Sequence, residues 1–346
     1  MFKSLRIENF TVFPQADLTF GKNLNVILGE NGLGKTHILK VLYTAASVSA
    51  QGLRKSGGGV PTKNLLQTEI ATRLREVFKP DELGRLARRQ PNRSRCEVEA
   101  CFQNTAQDIA FSFNTSSKTE VSIDKLPTVW LEKKPVFIPT RELMSIYPGF
   151  VSLYELNRLP IEETWRDTCI LLGAPLAKGP RVKRIRTLLE PLEETMGGLI
   201  ELDGDRFYLK SKAGRFEMHL LAEGLRKLAM LARLIATGAL LDNGTLFWDE
   251  PEANLNPKII KLIARTIIDL TRQGIQVFIS THSLFLLREL YILQQKEATN
   301  LDARCFGLHE TNGHVTVQQG ASIDDVGDIT ALDEELMQSD RYRQIA

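Results

Sequence analysis

The run Gly29-Glu-Asn-Gly-Leu-Gly-Lys-Thr36 constrains this chain more than any other segment. It fits the pattern G-x-x-x-x-G-K-[ST] at every fixed position. Leu24 to Leu28 before it is an apolar run of strand length, and from His37 onward apolar residues recur at helical spacing. Strand, glycine turn and helix in that order make a phosphate cradle. Gly29, Gly32 and Gly34 give backbone freedom and close approach, so amide hydrogens converge on an anion where a helix begins. In that geometry Gly29, Glu30, Asn31, Gly32, Leu33 and Gly34 wrap a nucleotide's phosphates, Lys35 reaches the β- and γ-phosphates, and the Thr36 hydroxyl is a ligand for Mg2+. ATP and Mg2+ are the expected ligands.

A second constellation completes such a site. Leu246-Phe-Trp-Asp-Glu250 is an apolar strand that ends in two carboxylates, and ligands of an open α/β sheet gather at the C-terminal ends of its strands. Side chains alternate along a strand, so the two acids take different jobs. Asp249 is expected on the Mg2+ and Glu250 on the water that attacks the γ-phosphate. Gln276 to Ile279 is a further apolar strand, followed by Ser280-Thr-His-Ser283, and it places His282 within reach of the same phosphate. The segment from Lys258 to Arg272 reads as a helix between these strands, giving a βαβ unit in a parallel sheet. His37, His219, His309 and His314 have no such placement and read as structural or exposed.

Elsewhere the pattern is mixed. Phe2, Leu5 and Ile7 alternate, and so do residues 96–102 and 109–113, as in antiparallel strands. Residues 50–94 differ: a Gly57-Gly-Gly-Val-Pro break precedes helical patterns over roughly 63–78 and 81–89, with Arg85, Arg88, Arg89, Arg93 and Arg95 at the end. A second basic stretch runs from Lys178 to Arg186, and the tail from 321 is acidic. Of the 346 residues 43% are hydrophobic and 25% charged, with a net charge of +2. That balance gives no global electrostatic case for nucleic acid. Four cysteines without zinc spacing are expected to be buried thiols in a reducing cytoplasm, and no secretory leader is read at the start. The apolar helix near 219–241 carries Glu223, Arg226, Lys227 and Arg233, which excludes a membrane span.

Strand-Asp-Glu-Pro, the Asn254-Leu-Asn-Pro257 loop, Ser280-Thr-His282 and the opening Leu5-Arg-Ile-Glu-Asn-Phe10 together resemble the ATP-binding-cassette ATPases. Within these the chain is similar to the branch of Rad50, the structural-maintenance-of-chromosomes (SMC) heads, RecF and the overcoming-lysogenization-defect ATPases. The resemblance implies an α/β head: a P-loop core with a mostly parallel sheet and an antiparallel β subdomain, and a helical lobe that carries the signature loop. Core segments are then 1–49, 95–138 and 244–320, with a helical basic insertion at 50–94, the helical signature lobe at 139–243 and an acidic tail at 321–346. The signature loop corresponds to Ala222, Glu223 and Gly224, which in the family cap the γ-phosphate held by a second subunit. Here Ala222 stands where the family has serine. Gln103 and the segment Thr140-Arg-Glu142 both remain open as the family's glutamine loop.

The resemblance implies a Mg-dependent ATPase that closes as a homodimer or higher oligomer around nucleotide. The chain carries no long coiled coil and no nuclease domain, and so looks like the compact ATPases of anti-phage defence operons, which gate a separately encoded nuclease or toxin. The alternatives are a RecF-like clamp with DNA or RNA contact through Arg85–Arg95 or Lys178–Arg186, and a nucleotide-dependent scaffold that does not hydrolyse.

Overall fold

The computed structural model describes all residues except 90–93, 157–158, 179–181, 243, 297–300, 312 and 346. Strands β1 (Phe2–Phe10) and β2 (Phe13–Thr19) form an antiparallel hairpin, and β3 (Leu24–Leu28) leaves it for a different sheet. The phosphate loop follows, then α1 (Lys35–Lys55) and α2 (Lys63–Phe78), which packs back on α1. The second helix expected over 81–89 is only a 3-10 turn at Leu83–Leu86. The backbone there bonds outward instead, Thr11 N to Leu86 O at 2.8 Å and Arg88 N to Asn9 O at 2.8 Å. Pairing with the hairpin thus overrides the local helical pattern. Arg93 lies outside the described residues.

Strands β4 (Arg95–Phe102), β5 (Ile109–Asn114) and β6 (Ser122–Lys125) complete a five-stranded antiparallel sheet in the order β2-β1-β4-β5-β6. Then come β7 (Pro135–Ile138) and helices α3 (Phe150–Glu155), α4 (Glu163–Leu172) and α5 (Val182–Met196). A small antiparallel sheet of β8 (Gly198–Asp203), β9 (Arg206–Ser211) and β10 (Gly214–Glu217) leads to α6 (Glu223–Ala236) and α7 (Ala239–Asp242). The chain returns through β11 (Thr245–Asp249), α8 (Pro257–Arg272), β12 (Gln276–Thr281), α9 (Leu284–Lys296), β13 (Ala303–Thr311) and β14 (His314–Gly320). The acidic C-terminal segment ends in a helix, α10 (Thr330–Ile345). Ahead of that helix the chain is anchored: Asp325 accepts from the amides of Ala321 at 2.9 Å and Ser322 at 2.8 Å, and Val326 is buried.

The central sheet has the order β14-β13-β3-β12-β11-β7, parallel throughout except for the β13–β14 pair. Its strands are apolar on both faces because both faces are covered. On one face Leu24, Val26, Leu246, Trp248, Val277 and Ile279 meet the helical lobe and α8. On the other, Phe137, Phe247, Phe278 and Phe306, one from each of four strands, meet α1 and the antiparallel sheet through Phe2, Phe20 and Phe102. Ring pairs such as Phe20–Phe278 at 4.9 Å and Phe247–Phe278 at 5.1 Å knit that layer together. Gln276, fully buried, accepts from Phe2 N at 2.7 Å and donates to the carbonyls of Phe2 and Gly21 at 2.8 and 2.9 Å. One amide thereby joins the two sheets with its own oxygen and nitrogen both bonded. All four described cysteines are free thiols, three buried and Cys101 half-buried. No helix among the described residues is long and apolar enough to cross a membrane.

Candidate nucleotide site

The C-terminal ends of β3, β11 and β12 stand side by side in the sheet, and everything catalytic in the sequence reading gathers there. The loop after β3 turns through Gly32 and Gly34, both in the left-handed region, and Gly34 at φ 89° opens α1. A Cβ at Gly34 would stand 2.7 Å from Val12 and Phe13 side-chain atoms, so only glycine fits that approach. Lys35 is buried, and its Nζ donates to the carbonyls of Gly29 at 2.8 Å and Glu30 at 2.9 Å, inside the loop it serves. Burial pushes its ammonium below the usual lysine value, with Glu250 and Asp249 acting against that.

Asp249 is the hub. It accepts from Thr36 Oγ1 at 2.9 and 3.0 Å, from Thr140 Oγ1 at 3.2 Å and from Ser280 Oγ. The Thr140 bond puts the 140–142 segment at the site. Gln103, the rival on sequence grounds, sits instead in a turn where its amide bonds Met1 O at 2.9 Å. The donor set around Asp249 is oxygen only, which fits a hard dication such as Mg2+. Thr36 would hold the ion, with Asp249 behind it. When bound it would neutralise phosphate charge and polarise the phosphoryl oxygens.

Glu250 lies past the strand with φ 45°, a conformation uncommon for a residue with a side chain. Its amide bonds Ser280 O at 3.1 Å, which ties the kink to β12. His282 Nδ1 stands 3.5 Å from Glu250 Oε1, at ion-pair range and without a formed hydrogen bond. The facing imidazole holds Glu250 below the ordinary carboxylate value despite partial burial, and Glu250 in turn raises His282. Glu252 is buried beside them, accepting from Thr281 Oγ1 at 2.5 Å and from His282 N at 3.4 Å.

The helix start at 222–224 is tied to the same carboxylate turn. Ala222 and Glu223 are exposed, and Glu223 Oε1 accepts from Asn254 Nδ2 at 2.9 Å. A Cβ on Gly224 would meet Ile259 at 3.2 Å and Leu255 at 3.4 Å. Lys227 Nζ donates to Glu250 O at 3.0 Å and Ala253 O at 3.1 Å, and Arg226 pairs with Glu142 at 2.7 Å. Both cations are therefore occupied within their own subunit. Sequence reasoning missed Glu252 as a member of the site and left Thr140 open, as part of the 140–142 segment. The Pro-Glu-Ala run after Glu250 was the signal for Glu252, and Thr140 stood in one of the two candidate glutamine-loop segments.

The remaining histidines are structural or exposed: His37 Nδ1 meets Thr11 Oγ1 at 2.9 Å, His309 Nε2 meets Val326 O at 2.7 Å, His314 Nδ1 meets Arg88 at 2.6 Å, and His219 is exposed. The basic patches are largely paired. Arg88 donates to Val12 O at 2.7 Å, Arg95 meets Asp124 at 2.7 Å, and Arg85 lies 3.5 Å from Asp81. In the second patch Arg184 bonds Gln273 at 2.7 Å and Arg186 pairs with Glu190 at 2.8 Å, while 179–181 lie outside the described residues.

Residues 24–288 match the family model described as "AAA domain, putative AbiEii toxin, Type IV TA system". Among solved structures, an SMC head bound to the C-terminal winged-helix domain of ScpA superposes with a TM-score of 0.56 at 13% identity, covering 93% of this chain and 98% of that one. An SMC head with an extended coiled coil from Pyrococcus furiosus, bound to the C-terminal domain of ScpA, gives 0.53 at 12% identity over 98% and 99%. Among curated relatives, the DNA replication and repair protein RecF of Hydrogenovibrio crunogenus is 43% identical over 42 residues, 12% of each chain. RecF of Streptococcus suis is 40% identical over 63 residues, 18% of this chain and 16% of that one. The chain thus matches only a short part of those relatives' length.

Proposed function

The chain belongs to the AAA-domain family described as putative AbiEii toxins of type IV toxin–antitoxin systems, with the head fold of the ATP-binding-cassette branch that includes SMC and RecF proteins, and from that premise we propose that it binds and hydrolyses ATP with Mg2+. The observation that carries the reading is the convergence of Thr36, Asp249, Glu250 and His282 at adjoining strand ends, beside the Lys35 loop. Glu250 takes the proton of the attacking water and becomes neutral as it does so, while His282 across from it reaches the γ-phosphate and that water. Lys35 and the loop amides hold the phosphates in place, the larger part of catalysis in phosphoryl transfer.

The exposed start of α6 supports closure of two copies around nucleotide, each offering its 222–224 amides to the other's γ-phosphate. The lost serine hydroxyl at Ala222 removes about 1.5–3 kcal/mol from that contact if it is buried there. The family description supports a product that works with a separately encoded partner. We read this chain as the nucleotide switch that gates a nuclease or toxin in anti-phage defence, a step of analogy. The ScpA-bound SMC heads lend that fold a precedent for carrying a partner protein.

Glu250→Gln tests the site. Turnover should fall by about 100-fold or more, while ATP stays bound and the chain elutes as a dimer with ATP present. Persistent turnover removes Glu250 as the base. The clamp alternative rests on the short RecF matches. Duplex binding that weakens steeply with salt and is lost on changing Lys183 and Arg186 would favour it.

A further inference from the structure

Three consecutive residues at the end of β12 each meet a different carboxylate. Ser280 Oγ donates to Asp249, Thr281 Oγ1 to Glu252 at 2.5 Å, and His282 Nδ1 faces Glu250 at 3.5 Å. The first and third contacts belong to the nucleotide site. The middle one has no part in that chemistry, although it is as enclosed as the first and far more so than the third. Glu252 is 7% exposed, against side-chain exposures of 24% for Glu250 and 41% for His282. One of its oxygens, Oε2, is buried without a hydrogen-bond partner. A carboxylate kept there is costly to bury, and a turn that only had to end a strand has no need of it.

What Glu252 holds is the backbone that carries the imidazole. Oε1 accepts from Thr281 Oγ1 and from His282 N, and Thr281 Oγ1 accepts in turn from Ser283 N at 3.0 Å. Residues 281–283 are thus gripped from outside by one side chain. The imidazole has little grip of its own, since Nδ1 makes no hydrogen bond. We propose that Glu252 is a positioning residue, which sets the reach of His282 onto Glu250 by fixing the turn between β12 and α9. The inference rests on the ATPase reading of the site.

The test is steady-state ATPase of the full chain carrying Glu252→Ala, Glu252→Gln, His282→Ala and the Glu252→Ala/His282→Ala pair. A displacement of about 1 Å at a reacting group costs up to about 100-fold. Glu252→Ala should therefore lower kcat by about 10- to 100-fold with KM within about twofold. Glu252→Gln keeps an oxygen that accepts both bonds and should recover most of the loss. With His282 already removed, Glu252→Ala should change kcat by less than about twofold, the sign of two residues acting as one unit. If Glu252→Ala does not fold, Thr281→Val breaks the same contact from the other side and should show the same dependence on His282. Additive losses in the double variant, or a glutamine variant no better than alanine, overturn the inference while the ATPase reading stands. An unaltered chain without turnover overturns the reading and the inference together.

Discussion

Thr36, Thr140 and Ser280 come from three different segments, yet all three hydroxyls converge on Asp249. Such convergence needs a backbone held to a few tenths of an ångström, and Gly34 is where it is most exposed to change. Its φ of 89° opens α1, and a Cβ would press within 2.7 Å of Val12 and Phe13. Left-handed strain of about 1–2 kcal/mol adds to overpacking of about 1–3 kcal/mol. Both outweigh the gain of about 1 kcal/mol that alanine brings to a flexible site. Gly34→Ala should therefore lose about 2–4 kcal/mol of stability by urea unfolding and, because Thr36 moves with the loop, lose Mg-dependent ATP binding. A variant as stable as the parent would refute the close approach. At this scale the legible residues were those inside contiguous patterns: Lys35, Thr36, Asp249, Glu250 and His282. Glu252 acquires its role only through a contact across the fold, with Thr281, and it takes the contact with Asp249 to choose the Thr140 segment over Gln103; no local spacing records either.

Among the elements, α6 shows how a helix can be apolar on one face and still carry a buried cation. Lys227 is 2% exposed and reaches two carbonyls of the turn after β11. Burial lowers its ammonium to about 8, against the pull of Glu252, Glu223, Glu250 and Asp249. Between pH 8 and the unfolded value near 10.5 the unfolded chain binds a proton that the folded chain does not. Stability from this group accordingly rises with pH across that window and falls toward neutrality. Against Lys227→Met, the parent should gain on the order of 1–2 kcal/mol between pH 7.5 and 9.5 by urea unfolding; a constant difference would contradict the buried charge. Strands of the central sheet and the helices next to them were readable because continuous apolar runs and 3.6 periodicity are local signals. The helix expected over 81–89 failed because Leu86 and Arg88 bond to the β1–β2 hairpin. In the tail, the capped turn at Ser322 and the helix from Thr330 went unread under a surplus of charge.

The whole molecule depends on joints between layers, and the insertion supplies one of them. Arg73 of α2 is 5% exposed and reaches Ser47 at 2.9 Å and Tyr43 at 3.2 Å on α1, and Glu163 at 2.6 Å and Asp167 at 2.5 Å on α4. One guanidinium therefore links the helix that starts at the phosphate loop to the lobe that carries the 222–224 loop. A buried pair of this kind is weak evidence for net stability, because desolvation offsets most of the attraction. Breaking it from one side is another matter, since it leaves Glu163 and Asp167 to share the single cation of Arg166, at 2.7 and 3.0 Å. Arg73→Met should cost about 3–5 kcal/mol. Removing the three charges together, with Glu163→Leu and Asp167→Leu added, should restore much of that loss, because apolar side chains replace the buried triad while Arg166 keeps Glu155 at 2.7 Å. ATP turnover separates the two variants from the parent in a second way. If the joint transmits loop geometry to the helical lobe, the triple variant stays folded yet turns over ATP more slowly, whereas a joint that only adds stability leaves the triple variant at parental kcat. Equal destabilisation of the single and triple variants in urea would show that packing of the arginine stem, rather than its charge, holds the insertion in place.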